Sequence, residues 1–323
     1  MSGVGASSSE EHLGVAGPSG AGPPLHAEEA HISSDLVARL LAAQFPRWAE
    51  LPVEPVASVG TDHALYRLGA EMVVRLPRTR LASLQVEKEH RWLPELAAQL
   101  PLPIPAPLGK GATACGYPWP WSVYAWLDGE TATLGRLADP CLAARQLGHF
   151  VAALHRVDPT GGPQPGEHNF SRGVPLGERD AATREAIAAL GNAIDTVAIT
   201  AAWQSALDAP AWERPPVWVH GDLSPANLLT KQGRLSAVID FGGLGVGDPA
   251  CDLIVGWNLF SGESRDAFRE VSAADDATWA RGRGWALSAA LIALPYYLAT
   301  RTVIVAGARR VIVEALADYR PVG

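Results

Sequence analysis

The stretch WVHGDLSPANLL, residues 218–229, constrains the fold of this chain more than any other. Apolar residues flank it on both sides, as in a buried strand, yet its middle holds His220, Asp222 and Asn227. An imidazole, a carboxylate and a carboxamide are costly to bury unless each is paired. The stretch therefore predicts a strand, VWV, that runs into a polar loop serving a site. Asp240 lies 13 residues beyond Asn227, at the end of a second β-type run, LSAVID. If VWV and LSAVID form a small antiparallel pair, Asp222, Asn227 and Asp240 converge at one edge. One carboxylate with one carboxamide oxygen makes a hard-oxygen site with room for water and phosphate oxygens, which suits Mg²⁺. The remaining carboxylate, Asp222, is then free to take a proton from a hydroxyl. That set of parts is what phosphoryl transfer from a nucleotide needs.

HGDLSPANLL followed by VIDFGGLGVGDPACDL resembles the aminoglycoside phosphotransferase family, within the protein-kinase-like fold. The family pattern is His-Gly-Asp-apolar, three free positions, Asn, then Ile-Asp-[Phe/Trp], Gly-Asp-Pro and Asp-Leu, and this chain matches throughout. The resemblance implies an α+β, bilobal architecture with a small antiparallel-sheet N-lobe and a larger helical C-lobe. It implies that Asp222 is the catalytic base and that Asn227 and Asp240 hold Mg²⁺. His220 and Asp252 would brace the catalytic loop. ATP or GTP would be the co-substrate, and the acceptor a small-molecule hydroxyl, first of all that of an antibiotic such as an aminoglycoside. A metabolite kinase acting on an amino alcohol or sugar is the alternative, because fold and motif do not select the acceptor. A catalytically silent nucleotide-binding module is the reading from another class. A protein kinase is disfavoured, since the His-Arg-Asp loop is absent and no long segment follows Asp240.

Kinase-like enzymes place a lysine on the third strand, paired to a helix glutamate. The three lysines here, Lys88, Lys110 and Lys231, sit elsewhere, and the matching strand MVVRLP offers Arg75. Arginine keeps the charge and adds a planar fork of donors. By resemblance its expected partner is Glu89, which matches the family position best, with Glu87 the runner-up; positions two apart on a helix face different ways, so both cannot easily point inward. The phosphate-covering turn would use Gly60, Thr61 and His63, although one glycine is sparse for a backbone cradle. By resemblance the purine edge would meet the backbone of Ala125 and Leu127. Trp257, Glu263 and Trp285 are candidates for the acceptor side. Acids there are balanced by Arg265, Arg269, Arg281 and Arg283, so a polycationic acceptor is not demanded.

Residues 1–30, rich in Gly, Ser, Pro and Glu, read as a disordered tail. Residues 31–127 are expected to form the nucleotide-binding lobe with the hinge at its end, and residues 128–323 the helical lobe with catalytic loop and acceptor site. Ser33 is the expected cap of a first helix, Pro94 is expected to end or kink a second, and residues 100–111 read as a Pro-rich turn region. WALSAALIALPYYLAT is short for a membrane span and is broken by Pro295, so a core helix is expected. The net charge is −8, and the four Glu of residues 1–30 leave −4 on the rest, which argues against nucleic acid as a partner. Cys115, Cys141 and Cys251 form neither a disulfide framework nor a zinc spacing. With no secretory signal in view, a cytoplasmic protein is expected, with nucleotide and a small molecule as partners and no membrane.

Overall fold

A computed structural model describes residues 32–57, 62–297 and 302–319. The expected tail therefore lies outside the described residues. The first described element is a capped helix: Ser33 Oγ accepts from the Leu36 N–H at 3.3 Å, opening α1 (Ser34–Gln44). Its Leu36, Val37, Leu40 and Leu41 are buried, the i, i+4 stripe of an amphipathic helix. Strands β1 (Val53–Pro55), β2 (His63–Leu68) and β3 (Met72–Pro77) follow, then α2 (Arg80–Ala97), β4 (Pro107–Gly111) and β5 (Trp121–Ala125). The five strands form one antiparallel sheet in the order β1-β2-β3-β5-β4. Strand alternation sends Val74 and Leu76 into a core with Leu40, Tyr66 and Trp121, and turns Arg75 to the other face, toward α2.

The expected stop or kink at Pro94 does not end α2, which runs on to Ala97. Its last turns bury Leu93 and Leu96, each 1% exposed, in the larger core. Two such burials at about 1.5–3 kcal/mol each offset the cost of about 3 kcal/mol for an interior proline. Trp92 lies edge-on to Trp218 with ring centroids 4.8 Å apart, so α2 also reaches the catalytic half of the molecule. The Pro-rich region expected to be only a turn supplies strand β4.

Beyond β5 come β6 (Glu130–Thr131), α3 (Pro140–Leu154), α4 (Asp180–Leu190), α5 (Thr196–Leu207), β7 (Val217–Val219), β8 (Leu228–Lys231), β9 (Arg234–Val238) and β10 (Gly245–Gly247). Four helices close the chain: α6 (Val255–Asn258), α7 (Gly262–Val271), α8 (Asp276–Tyr297) and α9 (Thr302–Asp318). The expected pairing of VWV with LSAVID does not occur. β7 pairs instead with β10, while β9 pairs with β8 and β8 with β6. Glycine explains the choice: a Cβ on Gly247 would sit 2.3 Å from the Gly173 carbonyl oxygen, and one on Gly245 would sit 2.5 Å from Asn169 Nδ2. Only a bare backbone can thread that gap beside β7. α8 is the core helix expected at Trp285, with Trp285, Leu287 and Leu291 fully buried. Among the described residues no helix is long and apolar enough to cross a membrane.

Candidate active site

The strand β7 delivers the chain into a loop whose polar groups satisfy one another. His220 is fully buried. Its Nε2–H donates to the Ile239 carbonyl at 3.1 Å, and its Nδ1 accepts from the Asp222 N–H at 3.2 Å, so one tautomer serves both bonds. Phe241 packs on the imidazole with centroids 4.5 Å apart. Asp252, also fully buried, stands in the 3-10 turn Pro249–Ile254 rather than at the start of a helix. Its carboxylate accepts from the N–H of His220 at 2.9 Å and of Gly221 at 2.7 Å, and meets His155 Nε2 at 3.2 Å. The polar residues that looked costly to bury are thus the scaffold of the loop.

Asp222 projects beyond that scaffold, its side chain 46% exposed. Asn227 Nδ2 donates to both Asp222 Oδ2 and the Asp222 carbonyl, each at 2.9 Å. That commits the amide nitrogen of Asn227 and leaves its Oδ1 as an acceptor. The Ile239 N–H donates to the Asn227 carbonyl at 2.9 Å, which ties Asn227 to the chain just before Asp240. Asp240 has a left-handed backbone, φ 61° and ψ 75°. A non-glycine residue held there carries strain of about 1–3 kcal/mol, a feature that gathers at functional sites.

Arg75 links the two halves of the site. Its Nη1 spans both Glu89 oxygens at 2.7 and 3.0 Å, and its Nη2 reaches Asp240 Oδ1 at 2.5 Å and His63 Nδ1 at 3.2 Å. Tyr124 donates its hydroxyl to Glu89 Oε2. Glu87 points away and pairs with Lys110 at 2.8 Å. Burial pushes the Asp240 carboxyl up, but the charges of Arg75, His63 and His220 outweigh it and hold the group at about 2. Burial and the adjacent Arg75 push the His63 imidazole well below its ordinary value. Lys88, one residue before Glu89 and buried, turns toward the catalytic half and donates to the carbonyls of Gly242 at 2.7 Å and His168 at 3.1 Å. Burial lowers its amine to about 8.

The structure thus links Asp222, Asn227, Asp240, Arg75, Glu89, His63, His220 and Asp252 through one connected set of contacts. At the end of β5 the Ala125 N–H is spent on Ala106 at 2.9 Å and the Trp126 N–H on Glu71 at 2.7 Å. The Leu127 N–H has no partner among the described residues. Gly60 and Thr61 lie outside the described residues. Trp257 does not line an opening: it is fully buried against Trp279, centroids 4.6 Å apart. Glu263 is exposed in the first turn of α7 and makes no ion pair among the described residues. Trp285 is fully buried too, but Arg172 and Arg179 lie over its ring. Sequence reasoning missed these two arginines and Lys88. Arg172 falls in the loop stretch GEHNFSRG, and nothing in the sequence marks Arg179.

The donor set fits a hard cation. Asn227 Oδ1 and the Asp240 carboxylate are the available oxygens, and Mg²⁺ is bound by one or two protein oxygens when phosphate and water supply the rest. No group of three His, Cys, Asp or Glu side chains among the described residues is placed to hold a metal, so the site lacks the closed donor set of a structural zinc.

A family model described as the phosphotransferase enzyme family matches residues 53–285. No curated protein sequence matches the chain. Solved structures align over most of its length. The GDP complex of wild-type aminoglycoside 2'-phosphotransferase-IIIa is 20% identical, with 89% of this chain and 99% of that one covered and a TM-score of 0.70. The streptomycin–ATP ternary complex of APH(2")-IIa is 17% identical, covering 88% and 98%, with a TM-score of 0.57. Macrolide 2'-phosphotransferase MphH from Brachybacterium faecium, as apoenzyme, is 23% identical, covering 90% and 99%, with a TM-score of 0.55. These likenesses are ones of fold.

Proposed function

The chain belongs to the phosphotransferase enzyme family, and from that premise we propose that it moves the γ-phosphoryl group of ATP or GTP to a hydroxyl of a small molecule, with Mg²⁺. The observation that carries the reading is the division of labour between Asp222 and Asn227: one amide nitrogen fixes the carboxylate and leaves the amide oxygen for a cation. Asp222 is the base. It takes the acceptor proton as the acceptor oxygen bonds the γ-phosphorus, the bond to the β–γ bridging oxygen breaks, and the nucleoside diphosphate leaves. Asn227 Oδ1 and Asp240 would hold Mg²⁺, which when bound offsets charge on the phosphate oxygens. Arg75, oriented by Glu89, grips the α- and β-phosphates. Gly60, Thr61 and His63 cover them, and the backbone of Ala125 and Leu127 meets the purine. His220 and Asp252 act only by holding the loop. Most of the acceleration comes from positioning and fixed charge.

On this reading residues 31–127 form the nucleotide lobe and residues 128–323 the acceptor lobe, and the three free cysteines suit a reducing cytoplasm. Complexes of fold neighbours hold streptomycin or other aminoglycosides, which motivates the antibiotic acceptor. The charges beside Asp222 favour the second reading, a metabolite hydroxyl. The test uses purified protein with Mg²⁺ and ATP or GTP against a panel of aminoglycosides, macrolides and hydroxylated metabolites, read by mass spectrometry. Asp222→Ala should abolish transfer and leave nucleotide binding nearly intact, while Asp240→Ala should also lose Mg²⁺-dependent nucleotide binding. Full transfer by Asp222→Ala would overturn the mechanism. Nucleotide binding with no transfer to any acceptor would favour the silent module.

A further inference from the structure

Arg172, against the catalytic loop, and Arg179, which shares an aromatic ring with it, keep most of their guanidinium donors unpaired among the described residues, and the one carboxylate within ion-pair range of either is Asp222 itself. Arg172 packs against the catalytic loop so closely that a Cβ on Gly221 would lie 2.8 Å from its own. Its Nη2 is 3.9 Å from Asp222 Oδ1, too far for a hydrogen bond, and its Nε is buried with no partner. Arg179, at the end of the 3-10 turn Leu176–Arg179, is half-buried. Its Nε donates to Ser288 Oγ at 2.9 Å, and that hydroxyl is held by Thr183 Oγ1 at 2.7 Å. Of the donors on the two guanidiniums, only this Nε has a hydrogen-bond partner among the described residues. Both guanidiniums lie over the buried ring of Trp285, with Cζ 5.8 Å from its centroid for Arg172 and 4.5 Å for Arg179. Sharing one indole brings both guanidiniums to the same ring, with all their donors but Arg179 Nε unpaired among the described residues. Like charges so placed repel unless an anion joins them, and burial together with the Arg172 charge lowers the Arg179 guanidinium to about 10.

We propose that Arg172 and Arg179, stacked on Trp285, form an oxyanion subsite for the acceptor, so that the molecule phosphorylated carries a carboxylate or phosphate close to the hydroxyl presented to Asp222. The inference rests on the phosphoryl-transfer reading of Asp222. A polycationic antibiotic would meet two like charges at this wall and be selected against. Planar guanidinium forks match carboxylate and phosphate in the bidentate manner that gives both affinity and orientation.

The test separates binding from chemistry. The full chain, saturated with MgADP, is titrated calorimetrically with D-glycerate, with glycerol 3-phosphate and with glycerol, which share hydroxyls but differ in the oxyanion. At least one of the two anions should bind about tenfold or more tightly than glycerol, and Arg179→Gln should remove that preference while Arg179→Lys keeps part of it. The stronger of the two identifies the anion as carboxylate or phosphate. Because Arg172 packs on the catalytic loop, Arg179 carries the test and Arg172→Gln is read only where its thermal unfolding matches wild type. Anion binding no tighter than that of glycerol, or unchanged in Arg179→Gln, overturns the subsite. In the second arm the same molecules and kanamycin are offered with MgATP. Transfer to kanamycin with no anion preference keeps the kinase reading and sinks the subsite. Arginine-dependent anion binding beside nucleotide turnover that Asp222→Ala does not alter keeps the subsite and sinks the kinase reading.

Discussion

Replacing Asp252 with alanine tests whether the catalytic loop is held from beneath. The carboxylate is fully buried and accepts from two buried backbone N–H groups, His220 at 2.9 Å and Gly221 at 2.7 Å. Asp252→Ala strands both donors in the core, where an unsatisfied amide costs about 1–3 kcal/mol, so the loss is about 2–6 kcal/mol in all. Asp252→Asn keeps one acceptor oxygen and turns an amide nitrogen on the other donor, so about half of that loss remains. A domain of ordinary stability, about 5–15 kcal/mol, survives Asp252→Asn, and survives Asp252→Ala unless it lies at the low end of that range. Urea unfolding should show the midpoint of Asp252→Ala lowered by about 1–2 M. Transfer to the acceptor found by the panel should fall in kcat more than in KM, because Asp222 follows directly on Gly221. A midpoint within about 0.3 M of wild type, with kcat unchanged, would show that the loop holds itself and that Asp252 braces nothing.

Arg75→Lys should raise the nucleotide KM about tenfold, since one ammonium cannot span Glu89 and still reach Asp240 as the fork does at 2.7 and 2.5 Å; an unchanged KM in steady-state assays would argue against a phosphate grip. Lys88 gives a pH signature. Its folded value of about 8 lies below the ordinary lysine value of 10.5, so between those limits the unfolded chain binds more protons and stability rises with pH. Wild type should therefore gain unfolding free energy from pH 8 to pH 10 relative to Lys88→Met; parallel curves would mean that the amine is not buried.

Much of the site was legible because it is local in sequence. The segment from His220 to Asp240 carries the loop and both candidate oxygens, and strand alternation alone turns Arg75 away from Val74 and Leu76. The choice of Glu89 over Glu87 came from the family resemblance, helix geometry saying only that both could not turn inward, and the structure puts Glu89 on Arg75 while Glu87 faces solvent with Lys110. What the sequence hid is non-local. β7 takes β10 rather than β9 because of clearances beside Gly245 and Gly247 that no periodicity reveals. Trp257 and Trp285 looked alike as aromatics on late helices, and only packing separates them: one ring lies against Trp279, the other beneath two arginines. Arg179 meets Ser288 across a sequence separation of 109 residues, a contact with no local signal.

The charges around the cleft make a final demand. Glu89, Asp222 and Asp240 bring three negative charges, and Arg75, Arg172, Arg179 and Lys88 bring at most four positive ones, with Lys88 poised near 8. His63 adds none at neutral pH, since burial and Arg75 keep it from protonating. The site is thus close to balanced before any nucleotide arrives, and the Arg75 fork already meets two carboxylates, so a phosphate it grips must share it with them. A triphosphate with several negative charges cannot be neutralised by these side chains alone. Either it displaces Asp240 from Arg75, leaving an unpaired carboxylate beside phosphate, or it brings a cation that Asp240 and the free Asn227 Oδ1 can share. The second course is the cheaper, because like charges at close range in a low-dielectric cleft cost several kcal/mol, on the order of the whole stability of a domain. Nucleotide affinity measured by calorimetry should accordingly fall at least about tenfold when EDTA replaces Mg²⁺, and the drop should vanish in Asp240→Asn. Equal affinity for ATP with and without Mg²⁺ in the wild-type chain would mean that the arginine releases Asp240 unaided, and the assignment of Asn227 and Asp240 to the cation would fall.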